Sequence, residues 1–110
     1  MADIYRTEAP GGILFAPISL SASGTLITGV AGKSIVVLST WLVAAAAVGV
    51  KFQTSTGSID LTGQAPCAQN GGFVLPFNAG GWFKTAIGDS LLINLSSGVA
   101  VGGSLSYILV

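Results

Sequence analysis

The sequence predicts an all-β fold, a jelly-roll-like antiparallel β-sandwich of eight or nine short strands, on three observations. Apolar residues alternate with polar ones at a period of two in several segments. Glycine-bearing turn signals recur every ten residues or so, drawn from 16 glycines. No stretch combines a helix cap with 3.6-residue apolar spacing. Alternation places successive side chains on opposite faces of a strand, and many short strands with regular turns suit a sandwich.

Along the chain, "MADIYRTEAPGG" ends in Pro10-Gly11-Gly12, which breaks regular structure, so residues 1–12 are expected to be an N-terminal arm and residues 13–110 a single domain. The expected strands lie near 13–20, 24–30, 34–43, 47–54, 58–62, 72–77, 82–85, 90–95 and 99–110. Turns fall at Ser23-Gly24, Ala31 to Lys33, Thr56-Gly57, Asn70 to Gly72, Asn78 to Gly81 and Ile87 to Asp89. The fourth strand alternates Val48, Val50 and Phe52 against Gly49, Lys51 and Gln53. Leu91, Ile93 and Leu95 oppose Ser90 and Asn94 in the eighth. In the last, Val99, Val101, Leu105, Tyr107 and Leu109 share one parity against Ser104 and Ser106.

The third strand needs more argument. "KSIVVLSTWLVAAAAVGVK" holds 17 uncharged residues between Lys33 and Lys51, the lower limit for a membrane-crossing helix with basic flanks. Its density of β-branched residues, and an alternation that runs straight through Lys51, favour two strands joined through the alanines 44–47. Ile35, Val37 and Trp41 then share one face with Val43, and Val36, Leu38 and Leu42 the other. The first set is expected to enter the core, with Trp41 in it, and the second to lie against a packed neighbour.

Charge and residue inventory narrow the function. Eight side chains are charged, and three of them (Asp3, Arg6, Glu8) lie in the arm, so the body carries five: Lys33, Lys51, Asp60, Lys84 and Asp89. Lone soluble domains carry far more, so a partner is expected to cover part of the neutral surface. A net charge of zero without a basic cluster argues against nucleic acid. The chain has no histidine, which removes the usual zinc sites, Ser-His-Asp triads and Cys-His pairs; no enzyme activity and no cofactor or metal are expected. The single Cys67 has no internal disulfide partner and no histidine to activate it, and reads as a small loop residue. The N-terminus lacks a signal-peptide core, which together with the single cysteine points to a chain made and folded in a reducing cytoplasm. Too few acids remain for a glycosidase pair, and Asp60 and Asp89 read as turn residues.

Two motifs are set aside on spacing and context. "GVAGKS" (Gly29 to Ser34) ends like a phosphate-binding loop, but Ile27 stands where its first glycine is needed, so it reads as a hairpin turn. "NLS" at Asn94 to Ser96 fits a glycosylation acceptor but closes a strand. The run "GWFKTAIGDSLLINLSSGVAVGG" is the most distinctive. Trp82 and Phe83 are adjacent, so they point to opposite faces, and only one can enter the core.

Taken in order, "VAGKSIVVLSTWLVAAAAVGVKFQT" and "GGFVLPFNAGGWFKTAIGDSLLINLSSGVAVGGSLSYILV" resemble a group of small β-sandwich virion proteins of tailed bacteriophages, some of which act as capsid cement or decoration proteins. The likeness covers about residues 25–110 and rests on "AGK", "GGxxxPFN", "GWF", "GD" before an apolar strand, and "VGG"; Ala79 stands where the family pattern has proline. It implies a structural virion protein on the capsid surface that self-associates, trimer preferred slightly over dimer, and clamps neighbouring major capsid subunits, with no membrane partner. The expected partner-binding residues are Ile4, Tyr5 and Arg6 of the arm, with Trp82 and Phe83. The competing expectation is a tail or fibre module that binds a host-surface glycan.

Overall fold

The described residues form ten strands: β1 (Leu14–Leu20), β2 (Gly24–Ile27), β3 (Ile35–Ala44), β4 (Val48–Thr54), β5 (Ile59–Asp60), β6 (Ala65–Cys67), β7 (Gly72–Leu75), β8 (Phe83–Lys84), β9 (Leu91–Leu95) and β10 (Val101–Leu109). The structure is a computed structural model that describes residues 12–110. One sheet has the order β1-β10-β3-β7, with β8 also paired to β3; the other has the order β2-β9-β4-β5, with β6 also paired to β4. Every pairing is antiparallel. If β5 with β6 and β7 with β8 are counted as one broken strand each, eight strands remain, paired first with eighth, second with seventh, third with sixth and fourth with fifth. That is a long antiparallel ribbon rolled on itself, the predicted jelly roll.

The sheets close over one core. Ile18, Ile35, Val37, Leu42, Val101 and Leu105 from the first sheet meet Val48, Val50, Phe52, Leu91, Ile93 and Leu95 from the second. The parities read from sequence for β4, β9 and β10 hold: each of these apolar residues on β4 and β9 is buried, and on β10 Val101 and Leu105 are buried while Tyr107 and Leu109 pack against the core. Cys67 lies in β6 rather than a loop and belongs to the core, where desolvation pushes its thiol pKa up.

Trp41 overturns its expectation. Tyr107 pairs with Val37 but Ser106 pairs with Ser39, so Leu38 is an extra residue in β3, a β-bulge. One inserted residue exchanges the two faces. Before it Ile35 and Val37 point inward; after it Leu42 and Ala44 do, and Trp41 and Val43 turn out to 50% and 45% exposure. Val36 and Leu38 are buried outside the continuous core, beneath the loop that follows β7, whose Asn78 and Trp82 N–H groups donate to the carbonyls of Leu38 and Val37.

Two further expectations change. Gly29 to Ser34 is not a hairpin, because β2 and β3 belong to different sheets; its turn, with Lys33 N donating to Val30 O and Gly32 at φ +75°, carries the chain from one sheet to the other. The strand expected at 58–62 is only Ile59–Asp60, and β6, not expected, continues that edge after a break. No helix among the described residues is long and apolar enough to cross a membrane.

Asp89 ties one end of the roll together. Its carboxylate is buried in the turn before β9 and accepts hydrogen bonds from Thr54 Oγ1 (2.6 Å), Thr56 Oγ1 (2.6 Å) and Thr56 N (2.9 Å). Those bonds, the Thr54 hydroxyl first and the two Thr56 donors next, favour the ionised form and hold its pKa below the ordinary carboxylate value. A group whose folded pKa is depressed stabilises the fold above its unfolded pKa, and that contribution is lost as pH falls through the folded pKa. Asp89→Asn is therefore expected to lower the melting temperature by a constant amount from pH 7 to pH 5, with the gap to wild type narrowing below about pH 4. A gap that is unchanged down to pH 2 would refute this account of the carboxylate.

Candidate functional site

Where the outer faces of the two sheets are compared, their chemistry differs. On the second sheet one cross-strand row reads Thr25, Leu92, Gln53 and Asp60, and the neighbouring pair is Asn94 and Lys51. This face is polar and carries an ion pair, Lys51 Nζ to Asp60 Oδ1 at 3.2 Å, with Gln53 Nε2 donating to Asp60 Oδ1 at 2.8 Å. The Gln53 bond first and Lys51 second hold the Asp60 pKa below its ordinary value.

The first sheet presents the opposite. Beyond the Leu38 bulge its outward rows read Phe15, Ser106 and Ser39; then Pro17, Ser104, Trp41 and Val74; then Ser19, Gly102, Val43 and Gly72. No residue in these rows is charged. Phe15, Trp41, Val43 and Val74 are 50%, 50%, 45% and 71% exposed. The charged residue of this sheet, Lys84, sits at its far end beside Val36, past the bulge. The serines do not make the patch strongly polar, because Ser39 and Ser106 hydroxyls bond to each other across the strands. Phe15, Ser39, Trp41, Val74, Ser104 and Ser106 frame an open hollow of about 270 Å³.

The edges of the roll are closed to strand addition. Pro17 lies in β1, Pro66 in β6, and Pro76 directly follows β7, and each of these strands has one paired neighbour among the described residues. Proline has no N–H for a new ladder, and its confinement to edges is a common way of blunting them. The remaining edges are short, β5 and β8 having two residues each and β2 four, with a register shift in the last.

Of the residues expected to bind partners, Ile4, Tyr5 and Arg6 lie outside the described residues. Trp82 and Phe83 differ in burial. Phe83 turns inward and stacks on Phe52 with ring centroids 5.0 Å apart, whereas Trp82 is 43% exposed and its Nε1–H donates to Pro76 O at 2.8 Å. Both border an apolar crevice of about 390 Å³ at the open side of the roll, with Phe73 and Leu75 on one wall and Val50 and Ala65 on the other. Sequence reasoning missed the Trp41 face, although the serines at 104 and 106 mark the outward parity of β10 and no charge falls on that parity of β1 or β10. Among the described residues no group of three or more potential metal ligands comes together.

No protein-family model, curated protein or solved structure matches this chain.

Proposed function

We propose that this chain is a structural protein of a tailed-bacteriophage particle, a capsid cement or decoration protein that self-associates and adds buried surface across joints between major capsid subunits. The observation that carries this reading is the contrast between faces: an uncharged sheet face with Phe15, Trp41, Val43 and Val74 uncovered, backed by a polar one. Exposed apolar area of this kind gains free energy when a partner covers it. The resemblance of the sequence motifs to those of phage virion proteins suggests the setting, and the jelly roll, a fold that recurs in viral capsid domains, is compatible with it.

A second reading, the glycan-binding tail or fibre module, draws on the same hollow, because Trp41 and Phe15 flank serine hydroxyls there and lectins also use jelly rolls. The hollow offers no carboxylate or amide to hold sugar hydroxyls, and two of its three serines bond to one another. The cement reading is the better supported.

Immunogold labelling of particles produced from the genome that carries this gene tests the proposal. Gold over the capsid shell is the expected result. Gold confined to the tail tip would support the glycan module, and particles without gold would overturn the virion assignment.

A further inference from the structure

We infer that two copies of this chain pair face to face through the uncharged rows of the β1-β10-β3-β7 sheet, with Trp41 of each seated in the hollow of the other. The inference rests on the self-association in the reading above and names its surface and its symmetry, a two-fold pair in place of the trimer that the resemblance slightly prefers; it stands on four features of the described residues.

The first is chemistry. A face whose outward rows hold Phe15, Pro17, Trp41, Val43, Val74, serines and glycines has no charge with which to select a charged partner, so its complement is neutral and apolar. A second copy supplies such a surface in the same molecule. The second is shape: the half-exposed Trp41 indole is one wall of the hollow that Phe15, Ser39, Ser104 and Ser106 also frame, so ring and hollow lie together on one face. An isologous pair places each projection against the other copy's hollow, which is what a two-fold axis requires of a self-complementary patch. The third is the blocking of edges by Pro17, Pro66 and Pro76, which disfavours pairing by continuation of a sheet and leaves the face.

Area is the fourth. Four strands about 4.8 Å apart, over the roughly seven residues beyond the bulge at about 3.3 Å each, give a patch on the order of 500 Å² per copy. A pair then buries on the order of 1,000 Å², the lower bound for specific association, so the dimer is reversible and depends on concentration.

Sedimentation equilibrium of the wild-type protein, Trp41→Asp, Val74→Lys and Thr25→Lys tests this, with far-UV circular dichroism and melting temperature read on each. Trp41 and Val74 are half-exposed or more, so both variants are expected to keep the fold. Wild type should rise from 10.9 kDa toward twice that mass between about 1 and 100 µM, the weak, reversible end of specific association. Trp41→Asp and Val74→Lys should stay at monomer mass throughout, and Thr25→Lys, on the polar sheet, should follow wild type. A wild type that stays monomeric, one that forms trimers, or folded Trp41 and Val74 variants that still dimerise would each overturn the inference. The outcome is independent of where gold falls on particles, so this inference and the virion assignment fail separately.

Discussion

Leu42→Ala is expected to lower the stability of the fold by about 2–5 kcal/mol, whereas Trp41→Ala at the next position costs the isolated chain about 1 kcal/mol. Leu42 is 1% exposed and packs among Ile18, Ala44, Val101 and their neighbours from both sheets, so its removal leaves a cavity that a close-packed interior only partly fills. Trp41 has half its surface in water already. Since small domains have about 5–15 kcal/mol in total, the Leu42 variant should melt far below wild type or fail to fold, and denaturant titration of the two variants measures the contrast directly. The reverse order would place Trp41 in the core and remove the bulge at Leu38.

Gly103→Ala carries the other large effect. Gly103 lies in β10 between Ile18 of β1 and Leu42 of β3, and an added Cβ would overlap the Trp41 carbonyl and come to 3.0 Å from Leu42 Cα. Those atoms are backbone, held by the central ladder of the sheet, and cannot turn aside as a flexible side chain can. The variant is expected to lose about 3 kcal/mol or more, or to be recovered only as aggregate, because overpacking here displaces a strand rather than a rotamer. Gly102→Ala is the matched control, since an added Cβ there meets nothing nearer than Ile18 O at 3.9 Å. Equal stability of the two variants would show that the strands do not approach as closely as described.

Much of the fold was readable because period-two patterns survive wherever one strand face is apolar and the other is not. In β9 and β4, Leu91, Ile93 and Leu95, and Val48, Val50 and Phe52, alternate with residues on the polar face, and nothing interrupts them. β3 resisted the same reading for a physical reason. "IVVLSTWLVA" is apolar on both parities, so the inserted Leu38 leaves no break in the pattern, and the exchange of faces becomes visible only in the pairing with Ser106 and Tyr107. β6 was missed because Ala65, Pro66 and Cys67 have no alternation of their own and are placed by Val48, Gly49 and Val50. The candidate surface shared that fate. Trp82 and Phe83 drew notice as adjacent aromatics, while Phe15, Trp41 and Val74, 59 residues apart from first to last, become neighbours only through strand order.

Association through the Trp41 face takes the half-exposed Trp41 indole out of water, and the emission of that indole reads the transfer. Trp82→Phe leaves Trp41 as the single indole of the chain. In that variant the emission maximum is predicted to move to shorter wavelength, and acrylamide quenching to fall, as protein concentration rises and the ring passes from water into the partner's hollow. Emission at long wavelength with full quenching at every concentration, in a sample that sediments as an oligomer, would contradict the account and place the contact elsewhere on the molecule.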